Sequence, residues 1–282
     1  MIDDESEDNK MSFILDIKHL RTITTAISEL KKDSKASGKS SKEKKSRTLT
    51  LECYTDFIRI KDMDASKVLG ISFDLDSELV TDYEHALNEN ETMKIVVDLD
   101  KLIEAISDIE GIVNFDVDIK NKKLLIWSSY YNYKLSFKVD KTEVKLPGVA
   151  NKSSVDLTGE QLYTIFKKCS GIDRYIIITT KGTEENEDFL LTFISKEQGT
   201  NNSIAVELDE FNVLDSDSLV ENSKIMIDTA VTSLVEVLKT TVKNAKVAKL
   251  LLENNRSVVI TYQMIEGHGN TKILIAPRAI KV

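Results

Sequence analysis

The sequence predicts an α+β fold: a strand-rich chain carrying four amphipathic helices and divided into two similar domains. Three observations predict it. Short runs of β-branched and apolar residues, bounded by polar turns, dominate the chain, as antiparallel strands require. Four segments break that two-residue period and follow a helical one instead. The helices recur at intervals of roughly 60–80 residues, each followed by strands, so a helix-plus-strands unit repeats four times. Lys138–Lys152, which contains Leu146-Pro147-Gly148, separates the second unit from the third and reads as a linker.

The elements follow in order. Met1–Lys10 is acidic and polar, so it is expected to be a disordered start and not a signal peptide. Lys18–Lys32 carries Leu20, Ile23, Ile27 and Leu30 on one helical face. Strands are expected over 48–53, 57–62 and 68–75. The second helix, Leu99–Ile109, aligns Leu102, Ile103, Ile106 and Ile109, and strands follow over 112–119, 123–128 and 133–139. The third helix, Gly159–Cys169, aligns Leu162, Ile165, Phe166 and Cys169, ahead of strands over 175–180, 189–195, 203–208 and 224–227. The fourth, Ala230–Val242, aligns Leu234, Val235, Leu238 and Val242, ahead of strands over 248–253, 258–264 and 272–276. Asp16, Asp98, Thr158 and Asp228 sit where a side-chain oxygen caps a helix start. The expected domains are 12–138 and 153–282, with a start at 1–11, a basic loop at 33–47 and a connector at 139–152.

Charge separates these parts. The 282 residues hold 38 Lys and Arg against 47 Asp and Glu, a net charge of −9. Within Lys31–Arg47, eight basic residues face two acidic ones, so an acidic body carries a local basic segment. That Lys/Ser-rich segment has almost nothing apolar to bury and is expected to be a mobile loop. Two cysteines, Cys53 and Cys169, make no disulfide framework and fit a reduced compartment. No apolar run approaches the roughly 18 residues of a membrane helix, so no membrane partner is expected.

The helix faces opposite the apolar stripes are informative. The first carries Lys18, Arg21, Thr25, Ser28 and Lys32; the third Thr164, Lys167 and Lys168; the fourth Thr232, Glu236, Lys239 and Lys243. Basic side chains displace counterions from phosphates without reading sequence; the alternative is an ordinary solvated face. The second helix supports that alternative, with Asp98, Asp100, Glu104, Asp108 and Glu110 against Lys101. Motifs for chemistry are missing. There is no P-loop, Gly-x-Gly-x-x-Gly or Cys-x-x-Cys. His19, His85 and His268 lack ligand spacing, and Glu184–Asp188 reads as an acidic hairpin tip. No catalytic residue, metal site or cofactor is assigned, and no enzyme is expected.

Val258-Val259-Ile260-Thr261-Tyr262, a glycine-containing turn, and Lys272-Ile273-Leu274-Ile275-Ala276-Pro277-Arg278 form a closing hairpin. That hairpin, and Ile60-Lys61-Asp62-Met63-Asp64-Ala65-Ser66-Lys67-Val68 near the front, resemble the proliferating cell nuclear antigen family of DNA sliding clamps. The likeness spans about residues 12–280. It implies two clamp-type domains per chain, each with two helices on antiparallel sheet. Three chains would close head to tail into a pseudo-six-fold ring, with twelve helices around double-stranded DNA. The DNA-facing residues would then be Lys18, Arg21, Lys31, Lys32, Lys35, Lys39, Lys167, Lys168, Lys239 and Lys243.

The resemblance also implies partners. DNA polymerase and other proteins would dock a Gln-x-x-aliphatic-x-x-aromatic-aromatic motif in a pocket at Met63, Lys67, Val144, Leu146, Pro147, Ser257, Leu274, Ala276 and Pro277. Subunits would join through Tyr130, Tyr131, Tyr133, Leu135 and Phe137 on one edge and Ile204, Val206 and Leu208 on the other; otherwise these strands are internal. A clamp-loader ATPase would open the ring, in a nucleus or a viral replication compartment. The alternatives are a monomeric viral processivity or transcription factor of the same fold, or one subunit of a heteromeric, checkpoint-type clamp. The chain departs from the family pattern in its acidic second helix, its basic loop, Ser257 in place of Pro, Leu274 in place of an aromatic, and Lys138, Lys141 and Lys145 in the connector.

Overall fold

The computed structural model describes residues 10–32, 47–85, 87–89, 91–139, 146, 153–173, 175–183, 186–197, 199–209, 215–217, 224–228, 233–252 and 257–277. The expected acidic start, most of the basic loop with Lys35 and Lys39, and most of the connector with Val144 and Pro147 lie outside these residues.

Four helices and eighteen strands are found among the described residues, in an order that repeats. The first half runs β1 (Lys10–Asp16), α1 (Ile17–Leu30), β2 (Thr48–Cys53), β3 (Ile58–Met63), β4 (Leu69–Leu75), β5 (Val80–Glu84), β6 (Met93–Asp98), α2 (Leu99–Ile106), β7 (Ile112–Asp118), β8 (Lys123–Trp127) and β9 (Asn132–Val139). The second runs β10 (Ser153–Leu157), α3 (Gly159–Ser170), β11 (Tyr175–Thr183), β12 (Asn186–Lys196), β13 (Ser203–Leu208), β14 (Asp215–Asp217), β15 (Lys224–Asp228), α4 (Ser233–Thr240), β16 (Ala248–Leu252), β17 (Val258–Ile265) and β18 (His268–Ile275). α1 and α3 are each followed by five strands, and α2 and α4 by the last three strands of their half, with β10 opening the second half as β1 opens the first. The repeating unit is therefore one strand, a helix, five strands, a helix and three strands, present twice, and not four equal units. Five strands went unread in the sequence: β1, β5, β6, β10 and β14.

Three helix starts are built as their capping residues dictate; Asp228, expected to cap the fourth, ends β15, and residues 229–232 ahead of α4 lie outside the described residues. Asp16 accepts from Lys18 N–H at 2.9 Å and Asp98 from Lys101 N–H at 3.1 Å. Thr158 and Gln161 satisfy each other's backbone N–H at 3.2 and 2.9 Å, a reciprocal cap. The apolar stripes face the sheets: Leu20, Ile23, Ile27 and Leu30 of α1 and Leu162, Ile165, Phe166 and Cys169 of α3 are buried. Val237, not Val235, completes the buried face of α4. Cys53 and Cys169 are core residues, and burial pushes their thiols up to about 12 and about 11, so neither is a nucleophile at neutral pH.

α1 packs between α2 and α4, and α4 packs on α3, so the helices form one layer in the order α2-α1-α4-α3. Pairing between β18 and β4 fuses the two halves into one fourteen-stranded antiparallel sheet, while β13-β12-β11-β15 form a second sheet. Leu69, Ile71, Phe73 and Leu75 of β4 point at the helices and are buried. Gly70, Ser72 and Asp74 alternate onto the opposite face.

Close approach fixes the helix pairs. Ile17 N–H donates to Gly111 O at 2.9 Å, and its counterpart Gly159 N–H donates to Ala245 O at 3.0 Å. A Cβ on Gly159 would lie 1.8 Å from Val242 O, a backbone atom that cannot swing aside. Gly→Ala within a helix ordinarily stabilises by about 0.5–1 kcal/mol, but here the clash decides the sign. Gly159→Ala is expected to destabilise the chain by about 1–3 kcal/mol, read as a lower urea midpoint at unchanged slope.

Candidate functional site

Three surfaces carry the candidate residues. The first is the exposed side of the helix layer. Lys18 is exposed and 3.0 Å from Asp16, and Lys32 pairs with Glu29. On the other half, Lys167 and Lys243 converge on one ring, 5.7 and 5.4 Å from the centroid of Tyr163. Lys239 lies 3.4 Å from Glu236, and Lys168 is exposed. Two expected cations point elsewhere. Arg21 donates to the carbonyls of Ile106, Ser107 and Ile109 at 3.1, 2.7 and 2.7 Å, closing the C-terminal end of α2. Lys31 is largely buried, bonded to Thr48 O and paired with Asp62. Burial pushes the Asp62 carboxyl up, against the pull of Lys31. The face of α2 is acidic, with Asp100, Glu104 and Asp108 exposed and Asp100 paired with Arg47.

The second surface lies on the far side of the sheet, over the join of the two halves. Register places Met63 beside Gly70, Gly70 beside Leu274, Leu274 beside Val259, and Val259 beside Leu251. This is an apolar band across five strands. Leu146 lies on it: a Cβ on Gly70 would sit 2.8 Å from Leu146 Cδ2 and 3.7 Å from Met63 Cε. The adjoining turn is held by Asp64, 4% exposed, which accepts from the backbone N–H of Ser66, Val68 and Leu69 at 3.1, 2.7 and 2.7 Å. Lys67 stands exposed at its tip with a φ of 58°. Ala276 N–H donates to Val68 O at 2.7 Å, which fastens the end of β18 to this turn.

Of the expected pocket, Met63, Leu146 and Leu274 therefore converge, and Lys67 and Ala276 border them. Ser257 precedes β17, and Pro277 bridges to Ile227 of β15. Gly70, Val259 and Leu251 were missed. A glycine inside a strand marks close approach of another group, so Gly70 was legible.

The third surface is made of the terminal strand β13 and the first part of β9, which lies between β8 and β6 but meets β6 only over Phe137–Val139, so that Asn132–Ser136 has no strand partner on that side among the described residues. β13 ends its sheet, and its alternating exposure contrasts with the buried β4, the matching strand of the first half. β9 shows the same exposure where β18, its match, is covered. Tyr130 is 93% exposed, and Tyr131 stacks 6.3 Å from Tyr133. Tyr133, Leu135, Ile204 and Val206 are half-buried. Phe137 and Leu208, expected at the same interface, are instead buried in the chain's own core, because they lie at strand ends that run beneath a helix layer.

This architecture can be compared with solved structures. The proliferating cell nuclear antigen (PCNA) of A. fulgidus, solved with the C-terminal region of FEN-1 bound, matches with a TM-score of 0.73 and 16% identity, over 96% of this chain and 100% of that one. The chain has the sliding-clamp fold. PCNA of Thermococcus kodakaraensis matches at 0.72 and 14%, over 95% and 100% of the two chains. A PCNA2–PCNA3 complex from Sulfolobus tokodaii gives 0.67 and 14%, over 95% and 100%. No protein-family model and no curated protein matches the sequence.

Within the clamp fold the helix layer thus has two kinds of cation. Arg21→Ala removes a charged donor from three carbonyls and is expected to cost about 1.5–3 kcal/mol of stability. Lys168→Ala is expected to stay within about 0.5 kcal/mol of the parent chain. Urea unfolding of both variants checks the contrast.

Proposed function

We propose that this protein is a DNA sliding clamp, a processivity factor without an active site that encircles duplex DNA and tethers polymerases and other proteins to it. One observation carries the reading: the join between the two halves of the chain has an unmade counterpart. Within the chain β18 pairs with β4. Of the matching strands, β13 ends its sheet, and β9 has no partner on its β6 side over Asn132–Ser136 among the described residues; unpaired strand edges invite pairing with another chain.

The repeat supplies the register. Val97 pairs with Phe137, and Ile227 bridges to Pro277, so Phe137 and Pro277 hold equivalent places. Phe73 is reached from Ile95 through Leu51 and Ile60, and Val206 from Ile225 through Ile178 and Phe193. Thr271 pairs with Phe73 and Ile273 with Ile71. Carried to the open edges, the same offsets set Tyr131 opposite Val206, Tyr133 opposite Ile204, and Leu135 opposite Asn202. Two apolar pairs then face the helix side of the join.

A head-to-tail contact of this kind closes into a ring when its rotation permits, and the clamp fold favours three copies. The helix layer would line the hole. Lys18, Lys32, Lys167, Lys168, Lys239 and Lys243 would attract phosphates weakly and without sequence preference, while the acidic α2 keeps the contact loose. Enclosure, not affinity, would retain DNA, with a loader ATPase opening the ring. The apolar band under Leu146 would take short partner peptides, a reading supported by the peptide-bound clamp of the same fold.

The chain with Tyr133→Cys and Ile204→Cys together is expected to cross-link under mild oxidation into closed trimers, while either single variant is not. Closed trimers assembled on nicked circular DNA are expected to stay bound at high salt and to be released when the circle is linearised. Monomers only, or equal loss from circle and line, contradicts the reading.

A further inference from the structure

We infer that the peptide taken by the apolar band carries an acidic side chain beside its apolar anchors, and that Lys272, with Lys67 across the band, reads it. This rests on the peptide-docking reading above and adds the chemistry of the partner.

The inference comes from the row of residues next to the band on the same face. Two residues along each strand, about 7 Å away, register sets Lys61 beside Ser72, Ser72 beside Lys272, Lys272 beside Thr261, and Thr261 beside Lys249. Three lysines thus parallel the apolar band. Two are occupied: Lys61 lies 3.0 Å from the buried Glu52, and Lys249 lies 3.6 Å from Asp156. Lys272 is exposed, and among the described residues no carboxylate pairs with it. On the other side of the band, Lys67 projects from its turn, also exposed.

Among the described residues, the carboxylates of the neighbouring strands are already neutralised. Asp74 is held by Arg59 through two bonds of 2.6 and 2.8 Å, Asp62 by Lys31, and Glu52 by Lys61 and by Lys94 at 3.3 Å. Asp64 is turned into its own turn by three backbone N–H groups. Among the described residues the surroundings of the band are therefore cationic, although the chain as a whole has a net charge of −9. Distance decides which charge a docked peptide senses. The Debye length is about 8 Å at physiological salt, so the remote acidic body is screened, while Lys272 and Lys67 are within reach. A peptide with basic flanks would meet like charge on both sides, which is discrimination by repulsion as well as by attraction.

The test uses the full chain and three labelled synthetic peptides sharing the core Gln-Ser-Ser-Leu-Ser-Ser-Phe-Phe. Each core is flanked on both sides by two Asp, two Ser or two Lys residues, and binding is followed by fluorescence anisotropy. The Asp-flanked peptide is expected to bind about three- to five-fold more tightly than the Ser-flanked one, as a surface ion pair allows, with the gap closing as salt is raised. Lys272→Glu is expected to reverse the order of the Asp- and Lys-flanked peptides, and Lys67→Glu to narrow it. Met63→Ala is expected to weaken all three alike. Equal binding of the three peptides with that uniform Met63→Ala loss overturns the inference and leaves the docking reading standing. An order unchanged by Lys272→Glu also overturns the inference. Binding of none of the three overturns both.

Discussion

The antiparallel pairing of β18 with β4 is the interaction on which the rest of the structure depends. Five residue pairs, from Thr271 and Phe73 to Ile275 and Leu69, make one sheet of two repeats. The same pairing brings α1 against α4 on one face and sets Leu274 beside Gly70 on the other. Its burial is what distinguishes β4 from β13 and β18 from β9. A chain that makes such a join once internally, and leaves β13 and the Asn132–Ser136 part of β9 unpaired among the described residues, suits the proposed repetition of that join by other copies of itself. The free edges are also a liability, since unpaired strand edges template aggregation. Short length and polar residues on one face, as in Ser203 and Glu207, limit that hazard until a complementary edge arrives.

Charge is arranged by the same economy. Several cations are committed within the chain: Arg21 closes a helix, Arg59 and Lys61 brace the outer sheet face, and Lys31 accompanies a buried carboxyl. The lysines left on the helix layer are exposed or, for Lys243, half-buried, and are paired loosely with neighbouring acids or seated over Tyr163. Such groups attract a polyanion without fixing it, as the proposed motion along a duplex would require. On the outer face Lys67 and Lys272 flank the apolar band, where, on the inference above, a charge would contribute to selectivity rather than to retention.

Much of this was legible in the sequence, and the failures have physical causes. The three- and four-residue spacing of Leu20, Ile23, Ile27 and Leu30, and of Leu162, Ile165, Phe166 and Cys169, located helices that the structure confirms. Thirteen strands matched because polar turns bounded them. β1, β6 and β10 were missed because each runs straight into a helix through Asp16, Asp98 or Thr158, leaving no turn to mark an end. β5 and β14 are edge segments with almost no apolar residues, so pairing defines them and pattern does not. Helical spacing put Arg21 on the polar face of α1 but could not reveal that α2 ends beside it. The apolar band was half-read because its members come from five strands, and only register brings Val259 and Leu251 to Leu274.

Amide hydrogen exchange of β13, followed against protein concentration, tests most directly that the join is repeated between chains. The outward-facing amides of Ser203–Leu208 should be slowed, as the chains associate, toward the protection of Leu69–Leu75 in β4. If they exchange rapidly at every concentration while β4 stays protected, the edges do not pair and the account of the ring is wrong.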